Sequence, residues 1–79
     1  MTAAYEQLVS ILTTLHDAPA DRFRPEATYA DLDVDSLTMV EISIHIERHL
    51  GVTVEDSELV PDLTLRATAE LIDARRPAA

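Results

Sequence analysis

Cysteine is absent, so disulfides, thiolate metal sites and cysteine nucleophiles are excluded. Lysine is absent too, and six arginines are the only fixed cations against fifteen acids. The formal net charge is −9. Nucleic-acid binding rests on cationic neutralisation of phosphate, and this chain has little to offer it. Anionic membrane surfaces are disfavoured for the same reason. No apolar run approaches the ~20 residues of a membrane span. Residues 2–15 include Glu6 and several polar side chains, which argues against a signal-peptide core. A cytoplasmic protein is the expectation. Glycine occurs once, at Gly51, and proline at 19, 25, 61 and 77.

What is present fits one small domain over residues 1–79. Such a domain buries only about 60–65% of its unfolded surface, so the core is thin. The acidity suits basic protein partners, whose encounter long-range attraction speeds. The plain alternative is that the charge keeps a small domain in solution.

Tyr5, Leu8, Val9, Leu12 and Leu15 recur at helical spacing, and Thr2 suits the cap of that helix. Residues 17–34 read as a long loop with Asp17, Asp21, Asp31 and Asp33, pinned to the core by Phe23, Tyr29 and Leu32. A loop of this length in a compact domain is often functional. A second helix is predicted from Asp35 or Ser36 to about Leu50, ended by Gly51. Val52, Thr53 and Val54 are briefly strand-like, although three residues cannot make a sheet, and 56–60 can form one short helical turn stopped by Pro61. A last helix starts near Thr64, presents Leu65, Thr68, Ala69, Leu71 and Ile72, and ends at Arg75 and Arg76, where the helix dipole favours cations. The expected fold is an all-α four-helix bundle: three main helices, one short helix and a long first loop.

The second helix carries two apolar stripes. Met39, Ile42, Ile46 and Leu50 share one face, and Leu37, Val40 and Ile44 share another roughly opposite. A helix in so small a bundle keeps a solvent face. The second stripe, edged by Glu41 and Glu47, is therefore expected to be exposed and to mark a partner site. The alternative is that Leu37 and Val40 tuck under the long loop and leave Ile44 alone outside.

Ser36 opens this helix. A serine there is ordinarily a cap, but Asp35 can take that role and free the Ser36 hydroxyl. Other chemistries fit poorly. Asp31, Asp33 and Asp35 imitate the first ligands of an EF-hand, yet glycine is missing at the sixth position and glutamate at the twelfth, where Ser36 and Ile42 stand. His45 and His49 share a helix face, but Ile46 stands where a zincin needs glutamate and no third ligand is evident; no metal site is expected. Ser36 lacks the glycines of a nucleophile elbow, and His45 lies roughly 13 Å along the same helix.

The string Tyr29-Ala30-Asp31-Leu32-Asp33-Val34-Asp35-Ser36-Leu37-Thr38-Met39-Val40-Glu41 resembles the attachment segment of the acyl carrier proteins. The resemblance continues through Leu50-Gly51-Val52-Thr53-Val54 to Pro61-Asp62-Leu63-Thr64-Leu65 and covers nearly the whole chain. It implies a non-enzymatic carrier of the discrete type that serves fatty-acid, polyketide or antibiotic biosynthesis. Ser36 would take 4′-phosphopantetheine from coenzyme A through a phosphopantetheinyl transferase, and the thiol of that arm would hold acyl groups as thioesters. Asp35, Leu37, Val40, Glu41, Ile44 and Glu47 would meet partner enzymes: the transferase, a ketosynthase, an acyltransferase or acyl ligase. Met39, Ile42, Ile46, Leu50, Val54 and Ile72 would line an interior that shelters the cargo. The carrier would act as a monomer. The family often has glycine where this chain has Asp33, which opens a different course for the turn. Thr38 and Arg48 stand where acids are frequent, and His45 and His49 are unusual on this helix. Alternatives are a peptidyl carrier, although those tend to have glycines before the serine, and an unmodified acidic adaptor for a basic protein.

Overall fold

Helix boundaries follow the local chemistry of their caps. The computed structural model describes residues 3–16 and 18–76. Helix α1 spans Ala3–Leu15, α2 Ser36–Leu50 and α3 Leu65–Arg75. Asp35 caps α2: its Oδ1 accepts from the Thr38 N–H at 2.8 Å. Thr64 caps α3 in the same way, accepting from the Ala67 N–H at 3.0 Å. Gly51 ends α2 with a left-handed φ of 68°, which glycine adopts without steric cost. Thr2, the expected cap of α1, lies outside the described residues, as do Asp17 and Pro77.

Helix α1 packs against both α2 and α3. One core runs through all three, built from Leu8 and Leu12 of α1, Ile42 and Ile46 of α2, and Leu65 and Ile72 of α3. Each such aliphatic side chain contributes about 1.5–3 kcal/mol through burial. Ile11 is buried as well, whereas Val9 and Leu15 sit at the core's edge, so the inner face of α1 lies slightly to one side of the expected stripe.

The first connection is anchored as its apolar residues suggest. Phe23, Tyr29 and Leu32 are all buried. A short 3-10 helix, Ala20–Arg22, lies within it. The Tyr5 hydroxyl donates to the Phe23 carbonyl at 3.1 Å. Further on, the loop lies against the start of α3: Ala30 N–H donates to the Pro61 carbonyl at 2.9 Å and Leu65 N–H to the Ala27 carbonyl at 2.9 Å. Thr28 and Thr64 form an isolated antiparallel bridge.

Val52–Val54 forms no strand, despite its β-branched side chains. It finds no strand to pair with, and the Val54 carbonyl accepts instead from the Ser43 hydroxyl at 2.5 Å. The short turn expected over 56–60 consists of two successive i→i+3 bonds, from Glu58 N–H to Glu55 O and from Leu59 N–H to Asp56 O, and goes no further. Glu58 fastens this turn to α3. Its carboxylate pairs with the Arg75 guanidinium, which also donates to the Thr53 carbonyl at 3.1 Å. That pairing holds the Glu58 carboxyl down at about 2, with the Glu55 backbone N–H adding to the effect.

Candidate functional site

The long loop delivers its last residues to the N-terminus of α2 through a tight turn. Leu32, Asp33 and Val34 donate their N–H groups back to Tyr29, Ala30 and Tyr29 carbonyls at 3.2, 3.1 and 3.1 Å. Asp33 sits at the centre with φ of 58°. It therefore takes up the left-handed conformation in which glycine is usual, and the turn keeps the course that a glycine would give it. Aspartate is among the few side chains that tolerate this region.

Asp35 follows in extended conformation, and its carboxylate is committed to the Thr38 amide. That hydrogen bond holds the Asp35 carboxyl below its usual range, helped by the nearby His16 ring. Asp31 is also engaged: it accepts from the Thr28 N–H at 3.1 Å, while Thr28 Oγ1 accepts from the Asp31 N–H at 3.0 Å. The same Thr28 amide lowers the Asp31 carboxyl. Two of the three aspartates that imitate a calcium loop thus serve as backbone acceptors.

Ser36 is the first residue of α2, and it is exposed. Capping does not occupy its hydroxyl, because Asp35 accepts from the helix amide. An exposed hydroxyl at a helix N-terminus, beside unsatisfied N–H groups and the positive dipole end, is compatible with a phosphodiester. The dipole contributes only about 0.3–1 kcal/mol at such a site.

The two stripes of α2 separate cleanly. Met39, Ile42 and Ile46 are buried, and Leu50 packs at the core's edge. On the other side Leu37 is 70% exposed, Val40 39% and Ile44 44%. Leu37 and Val40 do not tuck under the loop. Glu41 and Glu47 are exposed beside them, and Glu47 accepts from the Thr53 hydroxyl at 3.2 Å. Exposed Asp35, Ser36, Leu37, Val40, Glu41 and Ile44 thus lie within ten consecutive residues, at the cap and along α2. Arg48 is exposed further along.

Of the residues expected to shelter a cargo, Met39, Ile42, Ile46, Val54 and Ile72 belong to the packed core. A groove of about 350 Å³ opens elsewhere, between α1 and the end of α2, and takes only Leu50 from that set. His45 and His49 line it with Gln7, Ser10, Ile11 and Thr14. Their rings stack with centroids 5.3 Å apart and planes 28° apart. Among the described residues no cluster of three or more histidine, cysteine, aspartate or glutamate side chains could hold a metal ion.

One contact near the site has no periodic or motif signal. His16, just past α1, reaches the Leu32 carbonyl across the loop.

The profile of a family described as "Phosphopantetheine attachment site" matches residues 6–72. The chain belongs to the acyl carrier protein family. Polyketide-8 synthase acyl carrier protein 2 of Streptomyces avermitilis is 32% identical over 71 residues, covering 89% of this chain and 82% of its own length. An acyl carrier protein of Thermobifida fusca is 38% identical over 53 residues, 66% of this chain and 67% of its own. One from Petrotoga mobilis is 29% identical over 72 residues, 90% of this chain and 85% of its own. No solved structure matches significantly. Acyl carrier proteins are carriers and not enzymes, their cofactor is 4′-phosphopantetheine, and they work with the acyl-processing enzymes of fatty-acid or polyketide synthesis. The all-helical fold agrees with that membership. No helix among the described residues is long and apolar enough to cross a membrane.

Proposed function

We propose that residues 1–79 form one carrier domain and that Ser36 is its attachment point for 4′-phosphopantetheine. The observation that carries this reading is the division of roles between neighbours: Asp35 caps α2, and Ser36 stands exposed beside it with its hydroxyl outside the cap. In the transfer from coenzyme A the Ser36 hydroxyl loses its proton and an Oγ–phosphorus bond forms. The pyrophosphate bond of the donor breaks, and adenosine 3′,5′-bisphosphate leaves. When bound, the arm supplies a thiol that holds acyl groups as thioesters.

The chain's own residues present that arm. Leu37, Val40 and Ile44 offer an apolar strip to a partner's pocket, while Asp35, Glu41 and Glu47 attract basic groups around it. The partners in this reading are a phosphopantetheinyl transferase, a ketosynthase, and an acyltransferase or acyl ligase, met in the cytoplasm by a monomeric carrier. The names of the relatives from Streptomyces avermitilis, a polyketide synthase carrier, and Thermobifida fusca, an acyl carrier protein, favour acyl cargo, with the first pointing to the polyketide type. Met39, Ile42, Ile46, Leu50, Val54 and Ile72 are the side chains a sheltered cargo would displace.

Incubation with coenzyme A and a broad-specificity phosphopantetheinyl transferase tests the assignment by intact mass. The expected result is one arm added to the wild-type chain and none to Ser36→Ala. An arm on Ser36→Ala, or no arm on wild type with several active transferases, removes Ser36 from this role.

A further inference from the structure

His16 lies outside the attachment segment, yet it touches it. Its backbone N–H donates to the Leu12 carbonyl at 2.8 Å and so continues the last turn of α1. Its ring Nε2 lies 2.5 Å from the Leu32 carbonyl oxygen. A carbonyl only accepts, so Nε2 carries the proton. Leu32 is itself buried and stands immediately before Asp33, the residue held at positive φ. A sparsely populated backbone conformation persists where its surroundings over-determine it. The peptide leading into Asp33 is fixed here from two sides: by the turn's own bonds to Tyr29 and Ala30, and by His16 from α1. The ring is also near enough to Asp35 to help hold its carboxyl below the usual range, behind the larger effect of the Thr38 amide.

We propose that His16 is a positioning residue for modification of Ser36, holding the 32–35 turn to the end of α1 so that Ser36 is presented in one orientation. The inference rests on the reading of Ser36 as the attachment point. His16 touches neither Ser36 nor the arm. It acts through the Leu32 carbonyl, and its effect belongs to recognition: a turn ordered in advance need not be ordered at the encounter.

The experiment compares wild type, His16→Leu and His16→Gln as full-length chains. Glutamine can return an N–H donor near the position of Nε2; leucine cannot. With the transferase and coenzyme A, His16→Leu is expected to raise the KM for carrier by roughly threefold to tenfold, the worth of one net hydrogen bond, with kcat unchanged. His16→Gln restores most of the loss. Amide exchange of Leu32, Asp33 and Val34 should quicken in His16→Leu and slow again in His16→Gln. Loading at saturating carrier concentration must still reach completion in His16→Leu, which separates positioning from general unfolding. Wild-type KM and exchange in His16→Leu, or equal defects in both variants, overturn the inference. If wild type gains no mass at all, the Ser36 reading falls first, and the exchange comparison alone decides whether His16 orders the turn.

Discussion

The Tyr29 hydroxyl donates to Thr68 Oγ1 at 2.8 Å, and both side chains are completely buried. Thr68 passes the chain of bonds on, donating to the Thr64 carbonyl at 3.0 Å. One phenol thereby fastens the long first loop to the first turn of α3. Burial raises the Tyr29 pKa to about 12 although the Thr68 bond opposes the shift. Tyr29→Phe keeps the ring and removes the bond, and should destabilise the fold by about 0.5–1.5 kcal/mol in chemical denaturation. The sign with pH is definite. A phenol raised in the folded state contributes stability that is complete below the unfolded value near 10 and is lost as pH rises toward 12. Tyr29→Phe should lose less stability over that range than wild type.

Asp33 occupies a glycine-type conformation, with φ of 58°. Aspartate bears that conformation better than most side chains, and a β-branched residue bears it badly. Asp33→Gly should therefore leave the fold as stable or raise it by up to about 1 kcal/mol, because relief of strain is partly offset by the freer unfolded chain. Asp33→Val should cost about 1–2 kcal/mol. Denaturation midpoints of the two variants, compared at equal slope, check both. A loss in Asp33→Gly as large as that in Asp33→Val would mean that the aspartate side chain, and not the backbone, holds this turn.

These two residues mark what a reading of the chain reaches. Caps and helix ends at Asp35, Gly51 and Thr64 were legible because each depends on a few adjacent residues. The exposed strip of Leu37, Val40 and Ile44 was legible because helical periodicity separates it from Ile42 and Ile46. Tyr29 could be recognised as an anchor from its type and place, but Thr68 as its partner could not, since that pairing depends on how α3 docks. The same limit hid the reach of His16 to Leu32 and the grip of Arg75 on Glu58. Val52–Val54 was legible in its limit: three strand-like residues cannot make a sheet, and they form no strand. Its propensity is real, but a strand requires a partner, and tertiary context offers none.

The Glu58–Arg75 pair predicts the acid limb of stability. Glu58 is depressed from 4.5 to about 2 by the Arg75 hydrogen bonds and the Glu55 amide. A carboxyl depressed in the folded state contributes stability that is fully present above its unfolded value and lost as pH falls through its folded value. Wild type should therefore weaken between about pH 4.5 and pH 2. Asp31 and Asp35, also lowered, add to the same direction. Glu58→Gln should be less stable at neutral pH and show a shallower decline in acid, followed by denaturant titration at a series of pH values. Raised salt should narrow the difference only modestly, because hydrogen bonds in contact geometry are screened less than distant charges.

The two faces of α2 should respond oppositely to truncation. Ile42 and Ile46 are fully buried, so Ile42→Ala or Ile46→Ala removes packed methylene groups and leaves a cavity. The expected cost is about 2–5 kcal/mol each, a large share of what a domain this small possesses. Leu37 is 70% exposed, and Leu37→Ala should change stability by no more than about 0.5 kcal/mol. If the exposed strip is the recognition surface, the functional order reverses. Leu37→Ala and Glu41→Ala should slow loading by the transferase and by cognate acyl-processing enzymes while circular dichroism and the unfolding midpoint stay at wild-type values. Normal loading of both variants by every cognate enzyme would show that the strip is exposed without being read. Isoleucine at 44 supplies an internal comparison, since it lies further from Ser36 along the same strip. A defect that diminishes from Leu37 through Val40 to Ile44 would locate the partner's contact around the serine, and an even defect along all three would extend it down the helix.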